Sequence, residues 1–167
     1  EVPLVLRAEG IDKIILKQLE LSTKESNMTQ WQELVDKISH PTDSVDIGIV
    51  GKYVEFGESY KSLNEALIHA GLFHNLKAKV HWIEAEGVEG ENWTDQLSKF
   101  DGILVPGGFG KRGIEGMIRA VTFARSQKVP FFGICLGMQC SVIEFARNVA
   151  GLQGANSSEF DPSTPHR

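Results

Sequence analysis

The sequence predicts an α/β fold: a doubly wound, mostly parallel sheet preceded by two helices. Three observations predict it. Four strand-sized apolar runs, near 45–51, 78–82, 102–105 and 131–134, alternate with stretches of helical periodicity. The first is apolar almost throughout, as expected of a strand covered on both faces. Glycine stands at or just beyond the end of the first, third and fourth: Gly51, Gly107 and Gly133. In such sheets ligands bind beyond the carboxyl ends of the strands. That edge would collect the loop after Val50, the turn Pro106–Gly110 and Cys135.

In Glu1–Leu21 the residues Ile11, Ile14, Ile15, Leu16 and Leu19 recur at helical spacing. Ser22-Thr-Lys-Glu-Ser-Asn27 is polar and reads as a linker. Asn27 or Thr29 is placed to cap a second helix with the face Trp31, Leu34, Val35 and Ile38, and Pro41 stops it. The main domain begins with the strand Val45–Gly51. Its first helix carries Tyr60, Leu63, Leu67 and Ile68, with Ser62 and Glu65 at capping-box spacing. Ala78, Val80 and Trp82 alternate with Lys77, Lys79 and His81, a half-exposed strand. The acidic stretch Glu84, Glu86, Glu89 and Glu91 reads as a solvated loop, and Asn92 and Asp95 open a short helix. After the strand Gly102–Val105, Ile114, Met117, Ile118 and Val121 form a helical stripe. Phe131–Ile134 is the last strand. From Leu136 to Ala150 apolar residues go nearly all round, which predicts a central, buried helix. Two segments result: 1–43, and a main domain over 44–167.

Composition narrows the function classes. Hydrophobic residues make up 41% of the 167 and charged residues 23%, as in globular domains. The net charge of -5 and the absence of a basic block argue against nucleic acid. The longest apolar stretches are strand-sized, so no membrane role is expected. Cys135 and Cys140 are five apart on one turn and helix, unsuited to pairing with each other, and a cysteine-poor chain suits the cytoplasm. With no second Cys/His cluster, no metal site is expected.

The chemistry concentrates at Gly133-Ile-Cys-Leu-Gly137. Glycines flank a nucleophile on a strand-to-helix turn, the pattern of a nucleophile elbow. The helix behind Cys135 aims its free N–H groups and positive dipole end at the sulfur, an arrangement suited to anions. A thiol that attacks a carbonyl needs two N–H donors for the developing oxyanion. Leu136 supplies one, and the glycine pair Gly107-Gly108 is suited to supply the other. A general base is also needed. His40, His69, His74, His81 and His166 all fall in helical, exposed or terminal positions, and none is a convincing partner.

At these residues the chain resembles the class-I, triad-type glutamine amidotransferases, a flavodoxin-like fold. Gly133-Ile-Cys-Leu-Gly-Met-Gln139 is similar to their nucleophile motif and Val105-Pro-Gly-Gly-Phe-Gly110 to their oxyanion strand. Gly51–Ser62, Gly113–Met117 and Asn156–Phe160 narrow the resemblance to the branch that aminates UTP to CTP. The resemblance implies that Cys135 attacks glutamine and forms a glutamyl thioester, with the oxyanion held by Gly108 and Leu136. Gly137, Met138, Gln139 and Glu159 would contact the glutamine, Glu159 at its amino-acid end. It also implies that ammonia passes to a synthetase domain using ATP and Mg2+, that GTP activates near Phe109, and that the full enzyme is a homotetramer. No cofactor is implied for the matched part itself.

The resemblance further implies that 1–43 is the end of a synthetase domain with its linker, and 44–167 the first half of the amidotransferase domain. The family's histidine and glutamate partners have no counterpart in the sequence, so the expected chain is a fragment with little activity of its own. Two other readings stand beside it. One is another Cys-elbow hydrolase, such as a gamma-glutamyl hydrolase or peptidase-like protein. The other is a non-catalytic module whose first helices dock a partner.

Overall fold

The computed structural model describes residues 1–22, 27–52 and 60–167. Among the described residues three helices precede the sheet: α1 (Val2–Ala8), α2 (Ile11–Gln18) and α3 (Thr29–Ser39). The single stripe over Glu1–Leu21 is divided at Gly10, which takes a left-handed conformation (φ 69°), so three helices rather than two come first. Arg7 and Asp12 pair across the break. The expected cap by Asn27 or Thr29 does not form: Met28 is the N-cap residue of α3 and makes no side-chain cap hydrogen bond, although Asn27 Oδ1, one residue earlier, accepts the Thr29 N–H at 2.9 Å.

The sheet follows: β1 (Asp43–Gly51), α4 (Lys61–Phe73), β2 (Leu76–Glu84), a 3-10 helix (Ala85–Glu89), α5 (Trp93–Leu97), β3 (Gly102–Val105), α6 (Ile114–Gln127), β4 (Phe131–Gly133) and α7 (Leu136–Asn148). The strands lie in the order β2-β1-β3-β4 and every pairing is parallel. This is the α/β class that the alternation predicts. The Ser62/Glu65 capping box does not form: the N-cap residue of α4 is Tyr60, and among the described residues there is no side-chain cap hydrogen bond there. The acidic stretch is not a solvated loop throughout. Ala85 and Val88 of the 3-10 helix are buried, and Arg119 reaches the carbonyls of Val88 and Gly90 at 3.2 Å.

The core joins Val50, Ile103 and Val105 of the sheet to Met117 and Val121 of α6 and to Leu136 and Cys140 of α7. The all-round apolar pattern of α7 predicts burial on every side; the structure buries one face. Leu136, Cys140 and Ile143 pack inward, while Met138, Val142, Phe145 and Val149 are exposed. α7 packs mainly on α6, β3 and β4, and the segment after it returns to its outer side, where Arg147 Nε donates to the Ala155 carbonyl at 2.6 Å. A large apolar side chain left in water forgoes about 1.5–3 kcal/mol of burial.

Candidate functional site

The register aligns Ile49 of β1 with Leu104 of β3, and Val105 of β3 with Gly133 of β4. The chain therefore leaves β1, β3 and β4 side by side at one edge of the sheet. Lys52, the turn Pro106–Gly110 and Cys135 stand there. The loop expected after Val50 lies mostly outside the described residues, at 53–59.

Cys135 forms a strained elbow. Its φ is 52° and its ψ is -103°, a backbone conformation that non-glycine residues rarely adopt. The two flanking glycines make the turn possible by close approach. A Cβ on Gly133 would fall 2.6 Å from the carbonyl carbon of Gly137. The helix starts at once, with the Gln139 N–H donating to the Cys135 carbonyl at 3.1 Å. Cys135 is exposed. Cys140, one turn further on, is fully buried, and burial pushes its thiol up to about 12.

The glycine turn lies against this elbow. A Cβ on Gly107 would sit 3.6 Å from the Cβ of Cys135, and one on Gly108 would sit 3.2 Å from Cδ2 of Leu136. Gly107 and Gly108 are half-buried, Leu136 and Gly137 are buried, and Phe109 at the tip is 80% exposed. The remaining predicted positions divide. Met138 and Gln139 line a pocket of about 250 Å³ on the outer side of α7, with Val142, Ala146, Leu152 and His166; Cys135 and Glu159 do not line it. Glu159 is exposed beside Phe160, which is buried in the core, and its charge reaches Lys52.

Sequence reasoning misses Lys52. A lysine after a strand reads as surface, yet this one is 2% exposed. Its Nζ donates to the carbonyls of Phe109, at 2.9 Å, and Gly110. Arg112 Nη2 donates to the Lys52 carbonyl at 2.8 Å. Burial chiefly, with Arg112 adding to it, holds the Lys52 ammonium below its usual pKa, against the opposing effects of Cys140 and Glu159. The available signal is the Gly-Lys pair that directly follows a strand buried on both faces.

His81 is bound to Asp46 at 2.6 Å, away from the elbow, and among the described residues no hydrogen bond joins a histidine to Cys135. No group of three or more His, Cys, Asp or Glu among the described residues is placed to hold a metal ion. Among the described residues no helix is long and apolar enough to cross a membrane.

A model of the class-I glutamine amidotransferase family matches residues 56–163. The chain is 65% identical over 167 residues to a CTP synthase of Acidobacterium capsulatum, covering 100% of this chain and 30% of that protein. It is 61% identical over 169 residues to a CTP synthase of Koribacter versatilis, again with 100% and 30% covered. One from Methanocaldococcus jannaschii is 51% identical over 172 residues, with 99% and 32% covered. The chain thus spans about 30% of the length of the first two relatives. Among solved structures, the glutaminase domain of Trypanosoma brucei CTPS with bound acivicin is 40% identical with a TM-score of 0.69, covering 73% of this chain and 48% of that one.

Proposed function

The chain belongs to the class-I glutamine amidotransferase family, and on that premise we propose that it is the glutamine-hydrolysing part of a CTP synthase. The observation that carries the reading is the strained Cys135 elbow packed against the Gly107-Gly108 turn. In this reading the Cys135 sulfur, having given up its proton, attacks the side-chain amide carbon of glutamine. A C–S bond forms and the carbonyl oxygen takes the negative charge. The N–H groups of Gly108 and Leu136 hold that oxyanion. The C–N bond then breaks and the nitrogen leaves as ammonia, carrying the proton that the thiol gave up; water then hydrolyses the glutamyl thioester to glutamate and returns a proton to the Cys135 sulfur.

Gly137, Met138 and Gln139 would shape the glutamine site from the first turn of α7, and Glu159 would meet the amino group of the substrate. Met138 and Gln139 open onto the outer pocket, so their contribution here is through the backbone of that turn. The ammonia would pass to a synthetase domain that uses ATP and Mg2+ to aminate UTP, with GTP activating near the exposed Phe109, in a homotetramer. Both cysteines are free thiols, which suits the cytoplasm. The test reads covalent capture at Cys135, the step that the elbow itself performs.

Treatment with acivicin followed by mass mapping is expected to label Cys135, leave Cys140 untouched, and go more slowly when glutamine is present. Labelling of Cys140 first, or labelling of Cys135 that glutamine does not slow, would overturn the reading.

A further inference from the structure

Lys52 is a buried cation that the acyl-transfer steps above do not use. Taking an ammonium out of water is expensive unless strong partners replace the solvent. Its partners are two consecutive carbonyls of the glycine turn, Phe109 and Gly110. Each carbonyl is rigidly coplanar with the next residue's N–H, so holding both fixes the peptide planes that carry the Gly110 and Lys111 N–H groups and anchors the far end of the Gly107-Gly108 segment. The Lys52 stem supports the same turn from below: a Cβ on Gly108 would lie 3.7 Å from Lys52 Cδ. Arg112 closes the clasp in the other direction by donating to the Lys52 carbonyl. The segment leaving β1 and the turn leaving β3 are thereby fastened to one another, directly beside Cys135.

We propose that Lys52 is a positioning residue of the oxyanion turn, its ammonium holding the Phe109 and Gly110 carbonyls inward so that the Gly108 N–H stays aimed at an oxyanion formed on Cys135. A glycine pair is the least constrained backbone available, and an oxyanion donor is useful only when it is aimed before the charge develops. The clasp supplies the order that glycine lacks. The inference rests on the glutaminase reading for the identity of the oxyanion, and on the structure alone for the order of the turn.

The test compares the parent chain with Lys52→Met in two readouts. The first is the rate at which Cys135 is alkylated by a glutamine-shaped chloroketone, which passes through an oxyanion, against the rate with iodoacetamide, which does not. The second is amide hydrogen exchange across Gly107–Lys111. Lys52→Met is expected to lower the chloroketone rate about tenfold or more, since losing one oxyanion donor outright costs more than that. The iodoacetamide rate should stay within about twofold, and exchange at Gly108 and Gly110 should rise about tenfold with the β3 amides unchanged, as local loosening requires. A folded Lys52→Met with parental chloroketone preference and parental exchange would make Lys52 a packing residue and overturn the inference. If the parent itself shows no chloroketone preference, the glutaminase reading fails, and the exchange result alone decides for or against Lys52. Should Lys52→Met not fold, Lys52→Gln, which keeps a donor but is too short to reach both carbonyls, carries the same comparison.

Discussion

Gly137 lies directly on the carbonyl of Val105: a Cβ at residue 137 would fall 2.1 Å from that oxygen. The same oxygen accepts the Ile134 N–H at 2.9 Å, so it is part of the ladder that fixes β4 against β3. Neither backbone can move without breaking the other's hydrogen bonds. Gly137→Ala is therefore expected to cost about 3 kcal/mol or more, the upper end of what overpacking costs where neighbours cannot yield. Chemical denaturation of the two proteins measures it. A loss below about 1 kcal/mol would mean that α7 can slide off the sheet edge.

The strain at Cys135 predicts a trade between reactivity and stability. A non-glycine residue held at φ 52°, ψ -103° carries about 1–3 kcal/mol of backbone strain. Glycine has no Cβ to clash there. Cys135→Gly is expected to raise the unfolding free energy by about 1 kcal/mol, less than the full strain because glycine also gives the unfolded chain more freedom. Cys135→Val, branched at Cβ, should lower it. If Cys135→Gly is less stable than the parent, the elbow is not strained, and the conformation has another cause.

How far the sequence foretells this site follows from which interactions are local. The strands, the elbow and the glycine turn are legible because each is a run of neighbouring residues with its own periodicity or turn chemistry: Gly102–Val105, Gly133–Gly137, Pro106–Gly110. The clasp of Lys52 is not legible, because it joins residues 57 and 58 apart in sequence and buries a charge that pattern reading places at the surface. The exposed face of α7 misleads for the opposite reason. Its apolar residues are legible, but periodicity says only that a face is apolar and not which neighbours cover it. The division of the first helical stripe turns on one left-handed glycine, Gly10, which breaks a helix here although an isolated glycine is often tolerated.

One more long-range pair fastens the site's supporting helix. Glu144 of α7 is 1% exposed; the single Arg125 Nε–H is shared between its two carboxylate oxygens at 3.0 Å each, Arg125 Nη2 donates to Oε1 at 2.8 Å, and Asn148 Nδ2 donates to Oε1 at 3.0 Å. Burial by itself would raise the Glu144 pKa, but the hydrogen bonds from Arg125, Asn148 and Thr122 outweigh it and the pKa is lowered from 4.5. A carboxyl whose folded pKa lies below its unfolded one contributes stability that is whole above the unfolded value, and loses it as pH falls through the folded value. Glu144→Gln removes the charge but keeps the shape. At pH 7 it is expected to cost about 1.5–3 kcal/mol, the scale of hydrogen bonds to a charged group. Arg125 reaches water and is not stranded by the change. Below about pH 4.5 the gap between parent and variant should narrow as the parent's own carboxyl takes up its proton. Unfolding measured at pH 7 and again in acid checks both halves of the argument. A gap that stays constant with pH would show that Glu144 holds α7 to α6 by packing, with its charge contributing nothing.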